Sequence, residues 1–364
     1  MWTSRSRYTV MAVAALAAAC GGGGDGGGGD VGPQLPTYVQ ISAANQDMVA
    51  RASIASIMPF TSVPVLATSP SPGLATKALA GDSSAGGGHG GLTRLALRSI
   101  KPGYGQATPV PAGMARPLAQ AQQTFPCVVS GTYTVIADDK DNSGSITAGD
   151  TVSISFNQCD DDLGSIVNGG MGMTIGTYSA TEVAEDLTGS MNFQSLTMVD
   201  QGESSSLNGS VSFHINATLT ASGLDMLGSY SVASGGMTAA RHGGVAGLSD
   251  TFSYRAGYTV SDRDFSSNVQ GVPSWEVITA NGDFGSQALG GDLSLTTAPP
   301  FRSVYTDPEG DIFPTEGQLI ATGRNNTKLG LTATQTVQVR MDMCDDGDNT
   351  WEASKMVNWD WLLQ

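Results

Sequence analysis

Side chains that carry oxygen recur along Asp139-Lys140-Asp141-Asn142-Ser143-Gly144-Ser145-Ile146-Thr147-Ala148-Gly149-Asp150. Counted from Asp139, oxygens stand at positions 1, 3, 5, 7, 9 and 12, with glycine at 6 and the apolar Ile146 at 8. This spacing suits calcium, a hard cation that takes oxygen ligands from a loop turning sharply at its sixth residue. Asp139, Asp141 and Ser143 would offer side-chain oxygens, Ser145 its carbonyl, Thr147 a water-mediated contact and Asp150 the closing carboxylate. The same residue types also build a metal-free hairpin turn whose Asp and Ser side chains cap their own backbone. Both chemistries stay open at this point. A second acidic stretch, Asp342-Met343-Cys344-Asp345-Asp346-Gly347-Asp348-Asn349, has parts of the pattern. Counted from Asp342, its third position is Cys344 and its twelfth Ala353, so it reads first as a turn before the last strand, with a metal role as the lesser reading.

The first series resembles the loops of EF-hands and, with Asp at its twelfth position, of dockerins. It departs from them in two ways: Ser143 replaces a carboxylate, and strands rather than helices are expected on either side. Fewer charges imply weak binding, about 10⁻⁴–10⁻³ M as in extracellular modules. Other chemistry is sparse. His89, His214 and His242 form no metal-binding spacing, and neither a GxSxG elbow nor a P-loop is present. Acidic pairs abound, but the sequence assigns none of them acid or base work. The expectation is a protein that is not an enzyme, with an envelope hydrolase built on carboxylates as a distant alternative.

Four cysteines remain to be placed. Folding the chain about Gly144 brings Cys127 nearly opposite Cys159, where a cross-strand disulfide is sterically reasonable. Cys344 is the competing partner. Cys20 belongs to a different argument. Arg5 and Arg7 precede an apolar run, Val10 to Ala19, and Ala17-Ala18-Ala19 precede Cys20. A basic start, a short apolar stretch and small residues before a cut describe an export signal over residues 1–19. Cys20 resembles the lipidated cysteine of a bacterial lipobox, although Leu16 stands four rather than three places before it. The competing reading is an ordinary signal peptide with Cys20 an incidental thiol. In the lipoprotein resemblance, Gly21 in place of Asp favours the outer membrane, so the expected address is the bacterial cell envelope, with membrane lipid as the partner of Cys20.

Removing residues 1–19 leaves 15 basic residues against 33 acidic ones, a net charge of −18. The asymmetry is sharper by segment: residues 127–364 hold 29 acids and 9 bases. So acidic a body disfavours nucleic acid as a partner and favours cations.

The elements that must position these groups follow from composition and period. Residues 20–36 are a lipid-bearing cysteine and a glycine tether, Gly21-Gly22-Gly23-Gly24-Asp25 and its near copy. Residues 37–126 read as a disordered, low-complexity arm with two short helical patches. In Ile41 to Met58, residues Ile41, Ala44, Met48, Ala52 and Ala55 share a face. In Leu92 to Lys101, Arg94, Arg98 and Lys101 lie opposite the apolar side. One of these patches docks on the body in the sharper reading. From Cys127 the pattern changes to strict alternation. Val211, Phe213, Ile215, Ala217 and Leu219 face one way, and Ser212, His214, Asn216 and Thr218 the other. Val152/Ile154/Phe156, Met171/Met173/Ile175, Phe252/Tyr254/Ala256/Tyr258/Val260 and Val337/Val339/Met341/Met343 repeat it. Period two with one apolar face predicts half-buried antiparallel strands. Asn168-Gly169, Asn208-Gly209, Asn281-Gly282 and Glu316-Gly317 are expected as hairpin turns. The expectation for 127–364 is an all-β domain of about ten to twelve strands, a large curved antiparallel sheet or a barrel-like form, since a wide sheet must curl or close.

Taken together, the chain resembles a group of uncharacterised proteobacterial lipoproteins with a cysteine–polyglycine start and a Gly/Ser/Thr-rich β-domain. The segments that carry the likeness are Asp141-Asn142-Ser143-Gly144, Ala148-Gly149-Asp150-Thr151, Phe156-Asn157-Gln158-Cys159, Pro314-Thr315-Glu316-Gly317-Gln318-Leu319 and Asp345-Asp346-Gly347-Asp348, with Trp359 after them. It implies a location and a fold style, and no activity. Two functional expectations remain. One is an envelope-tethered binding or scaffold module whose curved apolar face holds an apolar ligand or an envelope protein, or is filled by the chain's own arm, Ile54 to Leu66. The other is a structural or surface-interaction protein with a calcium-stiffened hairpin.

Overall fold

A computed structural model describes residues 37–61, 121–127, 129–141, 143, 145–160, 165–200, 203–243, 249–305, 313–334 and 337–363. The tether, Cys20, the basic patch at Leu92–Lys101, Asn142 and Gly144 lie outside the described residues.

Alternation of apolar and polar side chains builds strands, and sixteen stand among the described residues. They are β1 (Ala121–Pro126), β2 (Ser130–Asp138), β3 (Thr151–Asp160), β4 (Ser165–Ala180), β5 (Ala184–Asp200), β6 (Glu203–Thr220), β7 (Gly223–His242) and β8 (Asp250–Tyr254). Then come β9 (Thr259–Ser267), β10 (Ser274–Ser286), β11 (Gly291–Thr297), β12 (Phe301–Tyr305), β13 (Gln318–Thr322), β14 (Lys328–Ala333), β15 (Gln338–Cys344) and β16 (Ala353–Asn358). All pair antiparallel in one sheet whose neighbours follow sequence order. β8 and β9 continue one line against β7, with Met237 opposite Tyr254 and Leu224 opposite Ser266. β11 and β12 do the same against β10. The sheet is thus an up-and-down meander. Among the described residues three short α-helical segments accompany it, α1 (Gln46–Ala55), α2 (Met58–Thr61) and α3 (Trp359–Leu363), with a 3₁₀ turn at Arg324–Asn326.

The all-β reading holds, but several details differ from expectation. Asn168-Gly169, Asn208-Gly209 and Asn281-Gly282 are not turns; they lie inside β4, β6 and β10. The first two coincide with register shifts in the ladders. Gly209 shows why the dipeptide fits there: its φ is +111°, and a Cβ would stand 2.6 Å from the Gly236 carbonyl oxygen. An extra residue of this kind bends the strand and increases its twist. It therefore lets strands of 16 to 20 residues curl instead of stopping. Ala256 is exposed rather than inward, because residues 255–258 interrupt the line between β8 and β9.

Inward-facing apolar residues of nearly every strand join one core. Val135, Ile154, Met171, Met191, Phe213, Tyr230, Leu295, Leu329 and Met341 all belong to it. The opposite face is polar, as at Ser212 and His214.

The core does not begin at residue 127. β1 precedes that boundary, and residues 36–364 form one compact unit. Residues 37–61, expected as part of a disordered arm, are built into the fold. Tyr38 pairs in parallel with Asp292 of β11. The Val39 carbonyl accepts from the Arg324 amide at 2.7 Å, and the Ile41 amide donates to Thr327 Oγ1 at 3.1 Å. The chain passes so close that a Cβ on Gly323 would stand 2.1 Å from the Val39 oxygen. α1 then packs on β13, β14 and α3. Its buried residues are Val49, Ala50, Ala52, Ser53, Ile54 and Ala55, while Met48 is exposed. Of the expected face, Ile41, Ala52 and Ala55 are buried while Ala44 and Met48 are exposed, and Ile41 lies before the helix, in extended chain. Beyond α1, Phe60 stands among Tyr254, Tyr258 and Tyr230, with ring centroids 5.3, 5.8 and 6.3 Å away. Docking of an arm patch was the sharper of the two sequence readings; the partners it finds lie some 200 residues onward.

Candidate functional site

The Asp139–Asp150 loop joins β2 to β3. Below it the two strands run in register from Asp138 opposite Thr151 to Thr132 opposite Asn157. Cys127 and Cys159 are joined in a disulfide, with Cα atoms 5.5 Å apart, across the irregular end of the same pair. The loop is therefore fixed at its base by the ladder, and the disulfide closes the far end of the same hairpin.

Asp150 is fully buried. Its Oδ1 accepts from the Lys140 amide at 2.9 Å. Its Oδ2 accepts from the Thr147 amide at 2.7 Å and from the Thr147 hydroxyl at 3.2 Å. Asp141 accepts from the Ser143 amide at 3.0 Å and from the Thr147 hydroxyl at 2.9 Å. Asp139 accepts from the same Ser143 amide at 3.1 Å. The Ser143 hydroxyl donates to the Ser145 carbonyl at 3.0 Å. Hydrogen bonds from Ser143, then from Thr147, hold the Asp141 carboxyl down at about 2, so it is ionised at any physiological pH.

One carboxylate oxygen from each of Asp139, Asp141 and Asp150 lies within 4.8 Å of the others. The structure thus brings the three expected carboxylates together, with Ser143, Ser145 and Thr147 in the same ring of hydrogen bonds. Two chemical roles meet here. The amide-to-carboxylate bonds are those of a self-capped turn. The three converging carboxylates, with a hydroxyl and a carbonyl beside them, are the all-oxygen set that a hard divalent cation takes.

A second group went unseen in the sequence. Asp262 and Asp264 of β9 and Glu276 of β10 are all buried on the inner face. Asp264 stands directly opposite Glu276. Glu185 occupies the same transverse row, reached through Ala217 and Met226. Burial first, then the charges of Asp262 and Asp264, push the Glu276 carboxyl well above the ordinary range. Glu276 therefore keeps its proton at pH values where an exposed acid would lose it. Alternation did mark these acids, since they share the phase of Val260, but acids at inward positions carry no local signal of their partners. The histidines stand apart from this row: His214 meets Asp186 on the outer face at 2.9 Å, and His89 lies outside the described residues.

No protein-family model matches the chain, and no curated protein or solved structure matches it significantly.

Proposed function

We propose that the chain is a non-catalytic scaffold of the bacterial cell envelope, exported by residues 1–19 and tethered by lipid on Cys20. Its apolar sheet face is occupied by its own arm, and its β2–β3 loop binds calcium weakly. One observation supports the scaffold reading: residues from Ile41 to Phe60 join the buried core of the inner face, so part of the surface that would receive an apolar ligand is taken by the chain itself. Two further bonds support it. Tyr254 donates to the Ser56 carbonyl at 2.8 Å, and the Ser56 and Tyr258 hydroxyls meet at 3.3 Å. A segment held by buried polar bonds as well as packing is an integral part of the fold rather than a loosely held lid. The calcium reading rests on the converging oxygens of Asp139, Asp141 and Asp150.

The test uses the full chain purified from bacterial envelopes. Native mass spectrometry should give the mass of residues 20–364 plus acyl chains, with no further adduct. The acyl mass should vanish in Cys20→Ser. A retained lipid-sized adduct in that variant would sink the occupied-face reading. Millimolar calcium should raise the melting temperature of the chain and leave Asp141→Asn unmoved; equal melting with and without calcium would remove the metal from the proposal.

A further inference from the structure

We propose that the β15–β16 hairpin is a second metal site, which takes a thiol-seeking divalent cation such as zinc through Cys344, Asp346, Asp348 and Glu352. One donor atom from each of the four lies within 4.8 Å of the others. The three carboxylates alone would be an exposed acidic turn. The sulfur sets them apart.

Cys344 is 1% exposed and carries no disulfide, yet it stands outside the apolar core cluster. Val339, Met341 and Met343 of β15 belong to that core. Cys344 is one residue out of step with them, so it lies under the acidic turn on the other face. Its Sγ is 4.0 Å from Asp346 Oδ1, longer than a hydrogen bond of ordinary strength. A buried sulfur thus points into a ring of carboxylates, with a long thiol hydrogen bond to one member of that ring.

The turn is shaped in advance. Glu352 Oε2 accepts from the Asp345 amide at 3.0 Å, Asp346 Oδ1 from the Asp348 amide at 3.0 Å, and Asp348 Oδ1 from the Thr350 amide at 2.6 Å. The Asn326 side-chain amide holds the Gly347 carbonyl at 3.0 Å. Each carboxylate is anchored through one oxygen and has a second to offer. Among the described residues no ion pair reaches Asp346, Asp348 or Glu352. A divalent cation would supply the charge the ring lacks. Calcium ligands are oxygens, whereas zinc accepts thiolate together with carboxylate. On loading, Cys344 would release its proton to solvent and bind as thiolate. The two hairpin loops would then sort cations by chemistry, oxygen-only between β2 and β3, mixed sulfur and oxygen between β15 and β16.

The test titrates the EDTA-stripped full chain with cobalt(II), a coloured stand-in for zinc. A sulfur-to-cobalt charge-transfer band should appear, be chased out by zinc and persist in millimolar calcium. Cys344→Ser should lose the band although Cys20 is unchanged. Asp348→Asn, a change on an exposed turn, should weaken cobalt binding by about tenfold or more, and Asp141→Asn should not. No charge-transfer band at saturating cobalt would overturn the proposal. So would a band that survives in Cys344→Ser, or unaltered affinity in Asp348→Asn.

Discussion

Single residues divide by how far away their partners are. The Asp139–Asp150 loop could be read from sequence because the side-chain bonds that shape it span ten residues or fewer. Glu276 could not, because its environment comes from a strand register that places Asp264 across from it. That environment has a pH signature. Glu276 has a raised pKa in the folded chain, so the native state holds a proton that the unfolded state gives up above its value of 4.5. Its contribution to stability is complete below that value and is lost as pH rises through the folded pKa. Glu276→Gln should therefore flatten the fall in stability on the alkaline side and leave acid-side stability little changed. Urea unfolding at a series of pH values checks this; identical slopes in the two proteins would count against a proton held by Glu276.

At the scale of elements, strands were legible and their interruptions were not. Val211, Phe213 and Ile215 declare a strand by period alone. Asn208-Gly209 declares only that a positive φ is wanted, which a turn and a bulge satisfy equally. The helix over Gln46–Ala55 was legible as a helix, while its phase depended on whether Ile41 was counted into it. What holds the arm is more specific than helix propensity. Phe60 is 1% exposed within its tyrosine ring, and Phe60→Ala should cost about 3–5 kcal/mol by the usual cost of emptying a packed aromatic site. The informative measurement is limited proteolysis beside urea unfolding. Cleavage within residues 37–61 should accelerate in the variant before the β-core is cut; simultaneous cleavage of both would mean that arm and sheet unfold as one unit.

Over the whole molecule, fold class was readable and strand count was not. Composition and alternation pointed to one large antiparallel sheet. They underestimated the number of strands in part because β1 lies in a stretch, Ala121–Pro126, without apolar alternation. A meander this wide has its least protected strands at the two ends. β1 pairs only with β2, and β16 only with β15, among the described residues. The Cys127–Cys159 disulfide lies at the β1 end and closes a loop with a sequence separation of 32. Replacing both cysteines by serine should cost about 3–4 kcal/mol from loop entropy. The loss should appear first as hydrogen exchange in β1 to β3, while β10 to β15 keep their protection.

The seat of the arm also sets an order of events in time. Ile41 is made early, but the hydroxyl of Thr327 that receives its amide is made 286 residues later. At synthesis rates of about 5–20 residues per second, that interval is roughly 15–60 s. Throughout it the apolar residues of α1 have no home, while the meander behind them can grow hairpin by hairpin from neighbours already present. A segment that is made early is therefore among the last to be locked, and a late step of folding belongs to residues 37–61.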